Sequence, residues 1–241
     1  MRSARKNWQD VRFALDALLQ SATYAPNAKL PAEGALCVML GAGRHSLRRA
    51  VRALVEENKL ITRQGKGTFV AAAPLDYLIS KRTRASANLA ALGLETAGQI
   101  LGIAVPYRSP IHAEKLGLAS DAPLIQSRNK RFASGKPLSL STTYVSQARF
   151  PDWAELLEKL HGHTAILRHY DIADYQRIET VIFARPASRD ETFHLELPPH
   201  AWVMVTQKLD ASLEGVPLIY GESIWAADRI QFTITDERTF S

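Results

Sequence analysis

Residues 33–70 read EGALCVMLGAGRHSLRRAVRALVEENKLITRQGKGTFV, and this stretch decides the fold of the first part of the chain. Apolar residues recur at helical spacing on both sides of Gly41-Ala-Gly43, which predicts two helices joined by a three-residue turn. Such a pair is typical of a helix-turn-helix, whose second helix enters the major groove of DNA. Two short strands, 60–63 and 68–71, then flank Gln64-Gly-Lys-Gly67 and predict a β-hairpin with a basic tip, a wing. Upstream, Trp8 to Ser21 predicts a further helix.

The second helix of the pair, predicted over 44–58, carries a cationic stripe. Its outer face holds five basic residues: Arg44, His45, Arg48, Arg49 and Arg52. No glutamate is interleaved with them before Glu56, so the usual ion pairs along one helix face are missing. A solvated helix face is the alternative interpretation. Crowded like charges cost stability unless an anion meets them, which favours DNA binding.

Positive charge is concentrated in the first part of the chain. Residues 1–70 contain 12 Lys and Arg and 5 Asp and Glu, a net charge of +7, whereas residues 71–241 contain 18 and 19 and have a net charge of −1. Basic side chains gain affinity for nucleic acid by displacing counterions from phosphates. The asymmetry therefore predicts a polyanionic partner for the first part only.

Length and composition set the general class. At 241 residues and 46% hydrophobic, the chain can form one or two domains with proper cores. A single cysteine, Cys37, excludes an internal disulfide framework and multi-cysteine zinc sites. No apolar run approaches the ~18 residues of a membrane span, and the first ten residues have no apolar core of a signal peptide. We therefore expect a cytoplasmic protein without metal or cofactor.

Three motifs resemble a known family. Leu30-Pro-Ala-Glu33, Gly43-Arg-His-Ser-Leu-Arg-Arg-Ala-Val51 and Arg63-Gln-Gly-Lys-Gly-Thr-Phe-Val70 are similar to the winged helix-turn-helix of the GntR family of bacterial transcription regulators. The resemblance implies that Arg44 and Arg48 contact operator DNA in the major groove, with Arg44 reading bases. The complete set of expected DNA contacts is Arg44, His45, Ser46, Arg48, Arg49, Arg52, Arg63, Lys66, Gly67 and Thr68.

The resemblance also assigns roles outside base reading. It implies that Ser46 and Arg49 contact phosphates and that Gly67 lies in the minor groove. Two positions depart from the family pattern, because Gly34 replaces an arginine and Gly43 replaces a serine. These changes remove a DNA contact and a helix N-cap from the expected set.

The chain is predicted to contain a winged helix-turn-helix domain over 1–72, a linker over 73–86 and a second domain over 87–241. Strands are predicted over 96–105, 123–132, 138–145, 175–184, 202–209 and 217–225. Helices are predicted over 75–80, 88–94, 112–118, 153–160, 165–170 and 189–195. Hairpins outnumber βαβ units, so we expect an α+β fold with an antiparallel sheet and flanking helices.

The second domain lacks the motifs of common catalytic sites. It contains no G-x-S-x-G, no H-E-x-x-H and no phosphate-binding loop. His161, His163 and His169 form the one histidine cluster, and without a carboxylate pattern beside them we expect surface loop residues rather than a metal site. We therefore expect no enzymatic activity.

Cations beside hydroxyl groups are the second domain's distinctive chemistry. Arg128 and Arg131 flank one predicted strand, and Ser139 and Ser141 lie on the opposite strand of the hairpin. Arginine forks and hydroxyl donors suit a phosphate or phosphonate dianion. The alternative is that the arginines are surface residues and that Tyr175 belongs to the core.

This domain resembles the UTRA effector-sensing domain of the HutC branch of the GntR family, which has a chorismate-lyase-like fold. The resemblance rests on Arg131-Phe-Ala-Ser-Gly-Lys-Pro137, Leu195-Glu-Leu-Pro-Pro199, Asp210 followed by Glu214-Gly-Val-Pro-Leu-Ile-Tyr220, and Ala227-Asp-Arg229. The segment Ile172-Ala-Asp-Tyr-Gln-Arg177, with Thr180 and Ala184-Arg185 after it, is similar to the PhnF-type branch, which regulates phosphonate metabolism. The resemblance implies a homodimer and effector contacts from Arg131, Ser139, Ser141, Tyr144, Asp174, Tyr175, Arg177 and Tyr220.

The expected effector is a small anion. Where UTRA sensors of amino compounds place an acidic contact, this chain has Ser141 and Ile219, which argues against an amino-bearing ligand. The main interpretation is thus a repressor of double-stranded operator DNA that responds to an anion of phosphonate or phosphate metabolism. Two alternatives stay open: a chorismate-lyase-like enzyme fused to a DNA-binding domain, and a non-specific architectural DNA protein.

Overall fold

Three helices and a hairpin make up the described part of the first unit, Met1–Pro74. A computed structural model describes residues 6–21, 23–63, 65–71, 74–79, 98–133, 135–160 and 162–234. The elements of the first unit are α1 (Trp8–Gln20), α2 (Glu33–Leu40), α3 (Arg44–Glu56), β1 (Leu60–Arg63) and β2 (Gly67–Val70). This is the predicted helix-turn-helix followed by a wing.

Helix α1 begins where Asn7 caps it. The Asn7 side chain accepts hydrogen bonds from the backbone N–H groups of Gln9 and Asp10, at 2.8 and 2.9 Å. Apolar residues at helical spacing then form one core with α2, α3 and the hairpin. The fully buried members include Val11, Leu15, Leu30, Leu36, Leu47, Ala50, Leu54 and Leu60.

Two glycines in this unit occupy left-handed backbone conformations for different reasons. Gly41 ends α2 with φ +62°, and the turn from Gly41 to Gly43 has the predicted three residues. Gly67 opens β2 with φ +109°, and a Cβ added there would lie 2.9 Å from Lys29 Cε. The end of the flexible Lys29 side chain can move aside, so it is the backbone conformation at φ +109° that favours glycine at this position.

The second unit, Leu75–Ser241, is built on a large antiparallel sheet. Its strands are β3 (Leu75–Ile79), β4 (Gly98–Tyr107), β5 (Leu124–Ala133), β6 (Lys136–Ser146), β7 (Gln176–Pro186), β8 (Trp202–Ala211), β9 (Pro217–Ala226) and β10 (Ile230–Ile234). Its helices are α4 (Pro110–Lys115), α5 (Trp153–Leu160), α6 (His163–His169) and α7 (Arg189–His194). Six strands pair in the order β4-β5-β6-β9-β8-β7. The predicted α+β class is confirmed.

One predicted helix is wrong. Residues 75–79, assigned to a short helix in the linker, form strand β3, which pairs in parallel with β10 from Leu75–Ile230 to Ile79–Ile234. Tyr77 explains the difference, because its buried ring packs edge-on against Trp225, with centroids 5.1 Å apart, and this tertiary contact holds the segment extended. Most of the predicted linker, the predicted helix over 88–94 and Gln64 of the wing lie outside the described residues.

The two faces of the six-stranded sheet are covered differently. The first face carries Ser139, Ser141 and Trp225, because opposed residues of neighbouring antiparallel strands project to the same side. Helices α5 and α6 cover one end of it, and β3 and β10 cover the other. The second face packs against α4 and against the segment after α7. None of the described helices has the length and apolar character that crossing a membrane requires.

A pair of glycine substitutions tests the backbone at the turn. Gly41→Ala should destabilise the first unit by ~1–2 kcal/mol, because Gly41 has φ +62° and a side chain there is strained. Gly34→Ala, inside α2 and with open space around the added Cβ, should stabilise it by ~0.5–1 kcal/mol. Amide hydrogen exchange in α1 and α3 of the full chain measures both changes in the stability of the first unit. Effects of the same sign would contradict the assigned conformations.

Candidate DNA-binding surface and effector site

Helix α3 exposes its basic residues on one side. The exposed set is Arg44, His45, Arg48, Arg49 and Arg52, and Ser46 is half-buried. Leu47, Ala50 and Leu54 fix this orientation, since they are buried on the opposite side of the helix. Gly43 occupies the N-cap position without a side-chain cap. Because glycine has no side chain, Gly43 cannot cap the N–H groups in the first turn of α3. Arg44 lies at the same end of the helix, next to these N–H groups.

The stripe of α3 is not wholly unpaired, contrary to the sequence argument. The Arg48 Nε lies 2.9 Å from a Glu33 carboxylate oxygen of α2, and this hydrogen bond lowers the pKa of Glu33. The Arg49 guanidinium lies over the Trp8 ring, 4.2 Å from its centroid. Within the described residues, no carboxylate lies within ion-pair distance of Arg44 or Arg52. Arg44 and Arg52 are thus the cations of the stripe most available to an external anion.

The wing adds a second basic group. Arg63 and Lys66 are exposed at the end of the hairpin, beside exposed Gly67 and half-buried Thr68. The Arg63 guanidinium lies 4.9 Å from the centroid of the Phe69 ring, which holds it along the hairpin. Lys66 has no such contact in the described structure and is placed to meet a phosphate.

The second unit gathers four of the predicted effector residues on the first face of the sheet. Arg131 of β5 is opposite Ser139 of β6, and Ser141 is opposite Ser223 of β9. The Ser141 and Ser223 hydroxyl oxygens lie 2.9 Å apart. Arg177, at the start of β7, reaches the same face opposite Asp210 of β8. The result is a strip of cations and hydroxyls between the covered ends of the face.

The positive charge in this strip exceeds the negative charge. Arg177 donates from Nε to Asp210 at 2.9 Å, and their side chains are only 9% and 13% exposed. Arg131 has no carboxylate within ion-pair distance in the described chain, and desolvation by burial lowers its pKa. A buried cation without a counterion is costly, so this arrangement favours a bound anion.

Lys208 is a third cation of the strip, and sequence reasoning missed it. It lies on β8 opposite Gly221 and on the same face as Asp210, two residues away. Burial, followed by repulsion from Arg177, lowers its pKa to about 7, although Asp210 opposes the shift. Alternation along β8 indicates from sequence only that Lys208 shares a face with Asp210, and the pairing of β8 with β9 identifies that face as the effector face.

Other polar groups of the first face lack hydrogen-bond partners. The buried hydroxyls of Ser127 and Ser139 have none among the described residues, whereas the Tyr77 hydroxyl interacts with Arg177. Burial raises the pKa of Tyr77, and the positive charges of Arg177 and Arg131 act against that shift. The two unpaired serine hydroxyls lie on the same face as Arg131 and Lys208 and provide donors for a ligand with several oxygen atoms.

The histidine prediction is partly wrong. His163 and His169 lie in helix α6 rather than in a surface loop, while His161 is outside the described residues. Burial lowers the pKa of His163 to about 3, and the charges of Arg131 and Lys208 add to the effect. His163 is therefore a neutral neighbour of the cationic strip, which can share a hydrogen bond with a ligand but adds no charge.

Four predicted effector residues are not brought to the strip. Tyr144 and Tyr220 are opposed on the second face, where the Tyr144 ring stacks on His112 of α4 at 3.7 Å between centroids. Tyr175 is buried in the core under α5 and α6, and its hydroxyl lies 2.9 Å from that of Thr164. Asp174 accepts a hydrogen bond from the Tyr175 backbone N–H in the turn before β7.

Comparison with known proteins gives the family. Residues 8–70 match the model of bacterial regulatory proteins of the gntR family, and residues 91–231 match the UTRA domain. An HTH-type transcriptional regulator of Rhizobium meliloti (strain 1021) is 34% identical over 94% of this chain and 93% of its own length. The probable transcriptional regulator PhnF of Escherichia coli (strain K12) is 30% identical over 94% of each chain.

The chain belongs to the GntR family, with a UTRA domain. The crystal structure of PhnF from Mycobacterium smegmatis has the same fold, with a TM-score of 0.63 at 20% identity over 95% of this chain and 100% of that one. The protein is therefore a transcriptional regulator and not an enzyme. Its GntR domain binds DNA and its UTRA domain binds a small-molecule effector.

The pKa of Lys208 in the UTRA domain predicts proton uptake on anion binding. With a pKa of about 7, about half of the Lys208 side chains are neutral at pH 7, and a nearby anion should raise that pKa. Calorimetry with methylphosphonate in buffers of different ionisation enthalpy should show up to about half a proton taken up by Lys208.

Lys208→Arg is the matched control for this titration. The variant keeps the positive charge but has a side chain that stays protonated at neutral pH. Subtracting its proton uptake from that of the parent protein removes the contribution of the ligand's own titration. Equal uptake by the two proteins would contradict a role for Lys208.

Proposed function

We propose that this GntR-family regulator is a cytoplasmic repressor that binds a near-palindromic operator as a homodimer. Exposed Arg44 and Arg52 of α3, with Lys66 of the wing, support DNA contacts from these two elements. In a dimer on one face of the duplex, the two α3 helices lie ~34 Å apart, one turn of DNA. Arg44, at the N-terminus of α3, is the proposed base-reading residue.

We further propose that the effector is a small anion of the phosphonate or phosphate-ester class. The observation that carries this proposal is the group of three cations, Arg131, Arg177 and Lys208, on one face of the sheet, where Asp210 pairs with Arg177. A dianion would restore electrical balance there. Arginine forks and the Ser139 hydroxyl supply the directed hydrogen bonds that a tetrahedral oxyanion accepts.

Two further observations support an anion rather than an amine. Asp210 is already engaged by Arg177, so it offers little to an ammonium group. Ser141 and Ile219, at positions where amine sensors carry an acid, are neutral. The similarity to the Escherichia coli protein with the name PhnF supports phosphonates in particular. Effector binding is proposed to change operator affinity through a coupling of ~1–3 kcal/mol, about 5- to 150-fold.

Two single substitutions separate base reading from phosphate contact. Arg44→Ala should cost ~1–3 kcal/mol of operator binding and relax the sequence preference at one position of each half-site. Lys66→Ala should weaken operator and random DNA about equally and reduce the slope of log affinity against log salt concentration. Footprinting and fluorescence anisotropy measure these effects. An unchanged footprint for Arg44→Ala would rule out α3 as the reading helix.

The effector proposal is tested with a panel of alkylphosphonates and small phosphate esters. Calorimetry on the full chain should show binding below millimolar concentration, and Arg131→Gln should abolish it because the guanidinium that lacks a carboxylate partner in the described chain is lost. Arg128→Gln is the control, since Arg128 is on the same strand but projects to the second face and pairs with exposed Asp190. No binding at millimolar phosphonate would refute the ligand class and leave the DNA proposal standing.

A further inference from the structure

The two edges of the six-stranded sheet differ in how they are protected. Strand β4, at one edge, contains Pro106 and two irregularities in its pairing with β5, between Ile100 and Gly102 and between Ala104 and Tyr107. Such bulges and prolines prevent an edge strand from accepting another strand. Strand β7, at the other edge, pairs regularly with β8 from Glu179 to Pro186. Within the described residues, no strand pairs with the outer side of β7.

The unprotected stretch of β7 is apolar and exposed. Val181 is 42% exposed and Phe183 is 39% exposed, although the sequence TVIF has the β-branched and aromatic composition of an interior strand. A long regular edge with exposed apolar side chains is a template for a further strand. The order of charged and apolar residues along β7 indicates which strand would pair with it.

Four residues of β7 alternate on the second face in the order Glu179, Val181, Phe183 and Arg185. Their partners in β8 are Leu209, Gln207, Val205 and Val203, which confirms that they share one face. The segment is acidic at one end, apolar in the middle and basic at the other end. A second copy running antiparallel would therefore present the complementary order.

We propose that β7 pairs with β7 of a second copy of this chain in antiparallel orientation, with the twofold axis at Ile182. This pairing places Glu179 opposite Arg185 at both ends and Val181 opposite Phe183 on both sides of the axis. Antiparallel partners project to the same face, so a twofold axis perpendicular to the sheet must pass between two copies of one residue. The proposal rests on the homodimer of the proposed function and names its interface.

Other positions of the axis oppose charged and apolar side chains. An axis at Val181 sets Glu179 against Phe183, and an axis at Phe183 sets Val181 against Arg185. Opposite charges across a strand pair stabilise it, and a charge facing an apolar group gains nothing. Ile182 is the position in the regular part of β7 that matches both the charges and the apolar pair.

Intramolecular contacts prepare the charges for this pairing. Arg185 is fixed by two hydrogen bonds to the Glu191 carboxylate, at 2.7 and 2.6 Å, so its guanidinium is held in place before a partner arrives. Glu179 is 43% exposed and lies 3.5 Å from Lys115. That longer contact leaves carboxylate oxygen available for a second cation.

Cysteine cross-linking tests the register directly. In a Cys37→Ala background, Ile182→Cys should form a disulfide-linked dimer under mild oxidation, because each cysteine opposes its own copy at a Cα separation of about 4.5–5.5 Å. Thr180→Cys should not cross-link, since the two copies lie about 13 Å apart along the strands. A mixture of Thr180→Cys and Ala184→Cys proteins should give the mixed disulfide, because these residues oppose each other. Cross-linking of Thr180→Cys alone, or none for Ile182→Cys, would overturn the register.

A lysine substitution keeps the interface testable without a disulfide. Val181→Lys should convert the full chain from dimer to monomer in analytical ultracentrifugation, whereas Val105→Lys, on the protected edge strand β4 and 45% exposed in the parent protein, should leave the dimer intact. A Val181→Lys protein that stays dimeric overturns this interface and leaves the proposed homodimer standing. A monomeric parent protein overturns both.

Discussion

Repulsion among three half-buried cations sets the chemistry of the effector face of the UTRA domain. Arg131, Arg177 and Lys208 share one face of the sheet, and Asp210 pairs with Arg177. Desolvation and mutual repulsion keep the pKa of Lys208 near 7. The fold tolerates this arrangement because strongly paired β5, β6, β9 and β8 fix the backbone beneath it. An anionic ligand that neutralises the three cations would remove their mutual repulsion, and the free energy gained in this way would contribute to its binding.

The fold of the first unit was predictable because its signals are local. Periodicity, the Gly41 turn and the wing tip each involve neighbouring residues, and each is found in the structure. The contacts that restrain Arg48 and Arg49 were not predictable from α3 itself. Glu33 comes from α2 and Trp8 from α1, so the charge balance of the stripe depends on how three helices pack.

The effector face shows where sequence reasoning stops. Ser139 and Ser141 share a parity and hence a face, and the same rule, applied to Tyr144, would have excluded it. The position of Lys208 on this face could not be predicted in the same way, because it depends on the pairing of β8 with β9. The position of Tyr77 could not be predicted from the sequence, because β3 pairs in parallel with β10, which is distant in sequence.

Strand β7 connects the two functions proposed for the UTRA domain. Arg177 belongs to the effector face, and Glu179 begins the proposed interface on the other face. The change of face is produced by the irregularity between these two residues, which leaves Ile178 as an extra residue in the pairing with β8. An anion that draws Arg177 away from Asp210 would alter the geometry of this bulge. Because a bulge sets the local bend and twist of its strand, the change would reach the proposed twofold contact at Ile182 through the backbone of β7.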